Sequence, residues 1–270
     1  RDTDRSRGLG DVYKRQPWVH WPETMMSYDT TDGVLFSGDA FGMFGATDGG
    51  VFDDQVDFAR YESEMRRYYS NIVGKYSGMV QKALAKLSSA RIGAICPLHG
   101  LVWRSDPARV IGLYDRWSRY EADDAAVVIY ASMYGNTAQM ADHVARRIAE
   151  AGVRDIRVYD VSKTHVSYLI SEIWRCRGVL LGSCAYNTQM FPLMENLTRD
   201  LLHAGPKDRL LGVFGTYSWN GGGVKNLNAF AEQIGWETVA PSAEILGRPT
   251  CEKYAACDAL ADAMACRLKK

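Results

Sequence analysis

The segment AVVIYASMYGNTAQMADHVARRI, residues 126–148, constrains the fold of this chain more than any other. Its apolar start, 126–131, has the length and β-branched content of a buried strand. The loop SMYGNT (132–137) follows. Met140, Val144, Ile148 and Ala151 then recur on one face at helical spacing. A strand that passes so quickly into a helix points several backbone N–H groups and small hydroxyls at one spot, and the helix N-terminus adds partial positive charge there. This makes a cradle for an anion of phosphate size. It holds no Lys or Arg, and it is neither G-x-G-x-x-G nor G-x-x-x-x-G-K, so Rossmann and P-loop readings both fail.

The rest of the C-terminal half keeps the same rhythm. Strands are expected at 126–131, 156–161, 178–183, 210–215 and 243–246, with helices starting near Thr137, Thr164, Phe191, Gly223 and Thr250. Five strands alternating with five helices predict a parallel sheet covered on both faces. In such sheets ligands bind beyond the carboxyl ends of the strands. Two further loops lie at those ends, GSCAYNTQMFP (182–192) and GTYSWNGGGVK (215–225). The first offers Ala185, Tyr186 and Asn187. The second offers Tyr217 and Trp219 beside three consecutive glycines. Flat side chains next to exposed backbone N–H groups suit a planar aromatic ligand. The plainer alternative is a capped βα turn flanked by surface-packed aromatics.

With 270 residues, 47% of them hydrophobic, the chain has material for about two cores. The second core is expected over 17–120, joined to 126–270 by a polar linker at 121–125. VLFSGDAFG (34–42) reads as a strand entering a Gly-rich loop, and 57–87 as a long helix broken or kinked around 71–77. A strand at 91–95 opens into CPLHGLVW (96–103). Asp106 and Pro107 supply an N-cap and an N1 proline for a helix carrying Val110, Leu113, Tyr114 and Trp117 on one side. Three loops here, HWPETM (20–25), FSGDAFG (36–42) and PLHGLVW (97–103), place His20, Asp39 and His99 beside Pro, Gly or aromatic residues. Imidazole and carboxylate suit iron, zinc or manganese. Taken singly, each also reads as a surface or capping residue. Residues 1–16 are half charged, with only Leu9, Val12 and Tyr13 apolar, and are expected to be a non-native or disordered tail.

Charge narrows the partners. Lys+Arg and Asp+Glu are both 32, which argues against nucleic acid or an anionic membrane as a partner. No apolar run approaches the ~18 residues of a membrane span. The six cysteines form no C-x-x-C pair and read as reduced thiols in a cytoplasmic protein.

S-M-Y-G-N-T matches the T/S-x-x-G-N-T phosphate loop of flavodoxins, and residues 125–270 resemble a flavodoxin-type domain. The resemblance implies an α/β, doubly wound, five-stranded parallel sheet of order 2-1-3-4-5 that binds FMN. Ser132, Met133, Tyr134, Gly135, Asn136 and Thr137 would hold the phosphate. Ala185, Tyr186, Asn187, Thr216, Tyr217, Trp219, Asn220 and Gly221 would surround the ring. HWPETM, LFSGDAFG and HGLVWR resemble the C-terminal part of a metallo-β-lactamase-like αββα domain. In this order, ahead of the flavodoxin-type domain, they resemble the flavodiiron proteins (A-type flavoproteins). That resemblance implies two non-haem irons, with His20, Asp39 and His99 as ligands, Asp39 bridging, and no catalytic residue beyond the ligands. It implies reduction of dioxygen to water or nitric oxide to nitrous oxide. It also implies a rubredoxin-like or deazaflavin electron donor and a head-to-tail homodimer or tetramer. The family's first ligand cluster, H-x-E-x-D-H, does not occur in this sequence. The expectation is therefore an N-terminally truncated flavodiiron protein with an incomplete ligand set. The alternatives are an FMN-dependent electron carrier, a zinc hydrolase, or a non-catalytic flavin-binding module.

Overall fold

The computed structural model describes residue 20 and residues 24–269. The expected tail at 1–16 lies outside the described residues. The chain divides into two compact units, 1–119 and 120–270.

The first unit holds a small sheet. β1 (Ser27–Asp29) pairs antiparallel with β2 (Val34–Gly38), and β2 pairs parallel with β3 (Ala94–Pro97). Leu35 and Ile95 lie neighbours in register and are fully buried. The long helix expected over 57–87 breaks where the sequence suggested. α1 (Phe58–Tyr68), capped by the Asp57 carboxylate on the Ala59 N–H, runs through a π turn at Tyr69–Val73 and a 3-10 turn at Gly74–Tyr76 into α2 (Ser77–Leu87). Tyr69 holds the break by a 2.9 Å hydroxyl contact with Ser77. α3 (Pro107–Ser118) starts as expected, with Asp106 accepting the Arg109 N–H and Pro107 at its first position. It buries Val110, Tyr114 and Trp117 against an aromatic core that includes Phe41 and Tyr69. Asp53 closes the unit. Burial alone would raise its pKa, but the N–H groups of Arg104 and Ser105 and the Ser105 hydroxyl hold its carboxyl below the usual range.

The second unit is the doubly wound sheet. Its strands are β4 (Asp123–Ala131), β5 (Ile156–Asp160), β6 (Cys176–Tyr186), the short β7 (Gln189–Met190), β8 (Leu210–Tyr217), the short β9 (Glu237–Thr238) and β10 (Ala243–Leu246). The main path runs β10-β8-β6-β4-β5, all parallel, which is the expected order 2-1-3-4-5 counted from β4. β7 adds antiparallel to the end of β6, and β9 parallel to β8.

Because strand side chains alternate, each strand feeds two cores. Val127, Ile129, Val179, Leu181, Leu211 and Val213 point to α5 (Val166–Arg175), α6 (Pro192–Ala204) and α7 (Gly223–Ile234). Ala126, Val128, Leu180 and Phe214 point to α4 (Asn136–Glu150) and α8 (Ala255–Leu268).

β4 begins inside the expected linker. Asp123 pairs in register with Cys176 and meets Arg175 at 3.3 Å, while Asp124 meets Arg177 at 3.2 Å. Arg209 anchors the entry to the unit. It is 1% exposed and donates to the carbonyls of Tyr120, Ile173, Trp174 and Lys207; burial pushes its pKa down to about 10. Among the described residues, no helix is long and apolar enough to cross a membrane.

Candidate functional site

The three loops singled out in the sequence do converge. At the carboxyl ends of β4, β6 and β8 they enclose a cavity of about 440 Å³. Ser132 and Met133 follow β4 into its wall. Gly135, at φ +84°, turns the chain into α4, which starts at Asn136 with no side-chain cap and no acidic residue in its first turn. The N–H groups of that turn are thereby left open to a ligand.

Ser132 is the most informative side chain. Its Oγ is buried, lies in the cavity wall and has no protein hydrogen-bond partner. A buried hydroxyl left unpaired costs about 1–3 kcal/mol, so it awaits a polar group from a ligand. An orphaned hydroxyl beside an open helix N-terminus fits the phosphate of FMN. The wall itself has no charge: 132–137, 185–191 and 215–222 contain no Lys, Arg, Asp or Glu.

The second and third loops are built rigidly. Tyr186 and Gln189 pair across β6 and β7, leaving Asn187 (φ +48°) and Thr188 (φ +62°) as a two-residue hairpin turn with both residues left-handed. Thr188 pays for that geometry because it is β-branched. The turn rests on the third loop. A Cβ on Gly222 would stand 2.2 Å from the Thr188 carbonyl oxygen, so only glycine lets the two loops approach this closely. Tyr186, Tyr217 and Trp219 line the cavity, and Trp219 is 88% exposed at its mouth.

Most of the expected residues line the cavity: Ser132, Met133, Tyr134, Asn136, Ala185, Tyr186, Asn187, Thr216, Tyr217, Trp219 and Asn220. Tyr134 does so from the rim, with its side chain 82% exposed. Two do not line it. The nearest atom a Gly221 side chain would meet is Glu244 Oε1. Thr137 is fully buried behind the wall, where its hydroxyl lies 2.7 Å from that of Thr216. The sequence reading missed three lining residues, Cys184, Thr188 and Ser218. Each lies inside a loop already marked, next to a residue already chosen. Burial raises the Cys184 thiol pKa, partly offset by the Met133 N–H, so the thiol stays protonated.

The first unit brings its donors only partly together. His20, at φ +90°, places Nε2 3.0 Å from Asp39 Oδ2. His99 sits apart from that pair: its Nδ1 lies 3.1 Å from the Met43 carbonyl, and its ring meets Tyr68 edge-on at 4.6 Å. Burial, helped by the Asp39 charge, pushes the Tyr68 phenol well above its ordinary pKa. Among the described residues, no group of three or more His, Cys, Asp or Glu side chains could hold a metal ion. The donors described do not fit a two-iron centre.

A family model for flavodoxin matches residues 128–258, and one for ODP family beta lactamase matches residues 13–100. The anaerobic nitric oxide reductase flavorubredoxin of Vibrio vulnificus is 34% identical over 238 residues, covering 87% of this chain and 48% of that protein. Its Escherichia coli O1:K1 counterpart is 31% identical, at 87% and 49% coverage. The chain thus spans about half the length of the curated relatives it matches. Among solved structures, the rubredoxin oxygen:oxidoreductase of Desulfovibrio gigas superposes with a TM-score of 0.89 at 27% identity, over 94% of this chain and 64% of that one. The flavodiiron protein of Giardia intestinalis gives 0.89 at 24% identity, over 94% and 63%, and shows the fold alone.

Proposed function

Since the chain belongs to the flavodiiron proteins, we propose that it is an oxidoreductase that works through FMN held in the cavity of its flavodoxin unit. The observation that carries this reading is Ser132 Oγ, buried and unpartnered in the wall beside the open first turn of α4. Ser132, Asn136 and the N–H groups of 133–137 would hold the phosphate. Tyr186, Tyr217 and Trp219 would flank the ring. FMN supplies one- and two-electron transfer when bound.

The chain's own residues do the positioning. The Asn187–Thr188 turn braced on Gly222 fixes the spacing of the ring walls. Tyr186 and Trp219 stand at the mouth of the cavity. The uncharged wall leaves the helix N-terminus as the main field on an anionic ligand.

In the manner of the relatives, the electrons would serve the reduction of nitric oxide or dioxygen, drawn from a rubredoxin-like or deazaflavin donor. A head-to-tail homodimer or tetramer in the cytoplasm belongs to the same proposal. His20, Asp39 and His99 are the donors this chain would offer to iron, and no step is derived through that metal. A second reading, an FMN-dependent electron carrier without iron chemistry of its own, is favoured by the absence of a metal-holding group among the described residues.

The test is flavin and iron content of the purified 270-residue chain, by visible spectrum and elemental analysis. About one FMN per chain supports the proposal, and failure to take up FMN on titration overturns it. Negligible iron then selects the electron-carrier reading, and about two irons per chain selects the reductase.

A further inference from the structure

The charges of the first unit are sorted along its sequence. Residues 29–64 hold nine acidic residues and one basic, Arg60. Residues 65–105 hold no acidic residue and seven basic ones: Arg66, Arg67, Lys75, Lys82, Lys86, Arg91 and Arg104. Arg67 and Arg104 pair within the unit, with Glu64 and Asp54. Lys75, Lys82, Lys86 and Arg91 are exposed and make no ion pair with a described residue. A chain without net charge thus carries a local basic surface along α2 and the turn after it.

A groove lies beside that surface. It measures about 570 Å³ and runs between α2 and α3. Gln81, Leu84 and Ala85 form one wall; Ala108, Ile111, Gly112 and Asp115 form the other. Spacings of three and four place each set on a single helix face. Gln81 ties the walls together, its amide donating to Asp115 Oδ1 at 2.8 Å and to Ser118 Oγ at 2.7 Å. The floor nevertheless stays open. Ala85, Ala108 and Gly112 are exposed, and a Cβ on Gly112 would meet nothing within 4 Å. Glycine weakens a helix interior, and no atom of this chain packs into the space it leaves.

Shape and charge point to the same occupant. A groove walled by two helix faces, with small residues on its floor, accepts the apolar stripe of a third helix. Lys82 and Lys86 each follow a wall residue, Gln81 and Ala85, by one position. They therefore stand about 100° further round α2, on its solvent side. Cations placed there meet the flank of a helix lying in the groove and leave its apolar stripe to the floor. A nucleic acid would use the cations but not the floor. A neutral helix would use the floor but not the cations. We propose that the α2–α3 groove docks an amphipathic helix of a partner protein, with its apolar stripe on the floor and Asp or Glu along the flank that meets Lys82 and Lys86. The site shares no residue with the flavin cavity and does not depend on it.

The experiment uses the full 270-residue chain and two displayed libraries of helical peptides of about 18 residues, or five turns. Both vary the apolar stripe among Ala, Leu, Ile and Met. One carries Glu at the flanking positions and the other carries Lys. The Glu library is expected to enrich binders and the Lys library none. Enriched peptides are then titrated by fluorescence anisotropy. Gly112→Leu fills the groove without meeting the rest of the unit, and should weaken binding about tenfold or more. Lys82→Glu combined with Lys86→Glu should weaken it about tenfold, and that loss should shrink as salt rises toward 1 M. FMN uptake should be the same in all of these chains.

A Glu library that yields no binder overturns the proposal. Equal enrichment from both libraries overturns it too, because the groove is then a plain apolar surface. Binding that survives Gly112→Leu and falls only with charge reversal marks a surface for polyanions and overturns the helix. A dimer of the unaltered chain that Gly112→Leu abolishes, seen by sedimentation velocity, assigns the groove to a second copy and also overturns it. Circular dichroism checks that each variant folds. If Gly112→Leu does not, Ala108→Leu fills the same groove from another exposed position and decides the matter.

Discussion

Ser132 and Thr137 both carry hydroxyls in the same loop, yet they use them in opposite ways. Ser132 leaves its oxygen buried and unpaired at the cavity, while Thr137 turns away and pairs inside the protein. Removing the orphan should therefore separate stability from affinity. Ser132→Ala is expected to leave the apo chain at least as stable, since it deletes an unsatisfied buried group, and to weaken FMN binding about tenfold. Melting temperature and fluorescence titration of the same variant check both halves. A lower melting temperature with unchanged affinity would mean that Ser132 serves the fold and not the ligand. The sequence made both residues visible, because spacing identifies the loop. It did not say which way each side chain points. Thr137 faces a strand 79 residues away, and nothing near it in sequence records that neighbour. The same limit hid Cys184 and Ser218, small residues next to chosen ones.

Elements were more legible, because periodicity is a property of many residues together. The five expected strands and their order hold, and the helix break at 71–77 falls on the π and 3-10 turns. Two features escaped. β4 starts early because Arg175 and Arg177 draw the acidic residues 123 and 124 onto the sheet, so a polar stretch became strand. The hairpin from β6 to β7 lacked the Asn-Gly signature that its left-handed turn favours, since Asn187 is followed by Thr188. That turn matters because the third loop lies against it. Gly222 has an extended backbone that any residue adopts, so its requirement is purely steric. Gly222→Ala should cost about 1–3 kcal/mol, the range for overpacking, and should weaken FMN and riboflavin alike, because it moves the ring walls and not the phosphate cradle. Thermal denaturation and paired titrations measure both effects. An unchanged melting temperature would show that the loops part easily and that the contact between them is incidental.

At the scale of the molecule, the two units were legible to different depths. In the flavodoxin unit one loop, one periodic helix and a regular alternation all pointed to the same site. In the first unit three separate donors were equal candidates, and the structure joins His20 to Asp39 while His99 holds to the Met43 carbonyl. A metal site depends on convergence in space, which no single segment encodes. Charge supplies the last test, because it can be read at every scale. The chain carries 32 basic and 32 acidic residues, and the stretches 132–137, 185–191 and 215–222 around the cavity carry none. A protein without net charge does not steer an anion over distance, and a wall of hydroxyls and backbone N–H groups acts only within the first turn of α4. Ion pairing with Lys or Arg would be screened strongly as salt rises, since the Debye length shrinks from about 10 Å at 0.1 M to about 3 Å at 1 M. FMN affinity here should consequently fall by less than about threefold between 0.1 M and 1 M salt, with riboflavin nearly unaffected. A fall of tenfold or more for FMN alone would require a cationic side chain at the phosphate. Within this unit Lys225, at the end of the third loop, would then be the first residue to replace with Met, and recovery of the flat salt profile would identify it as the source.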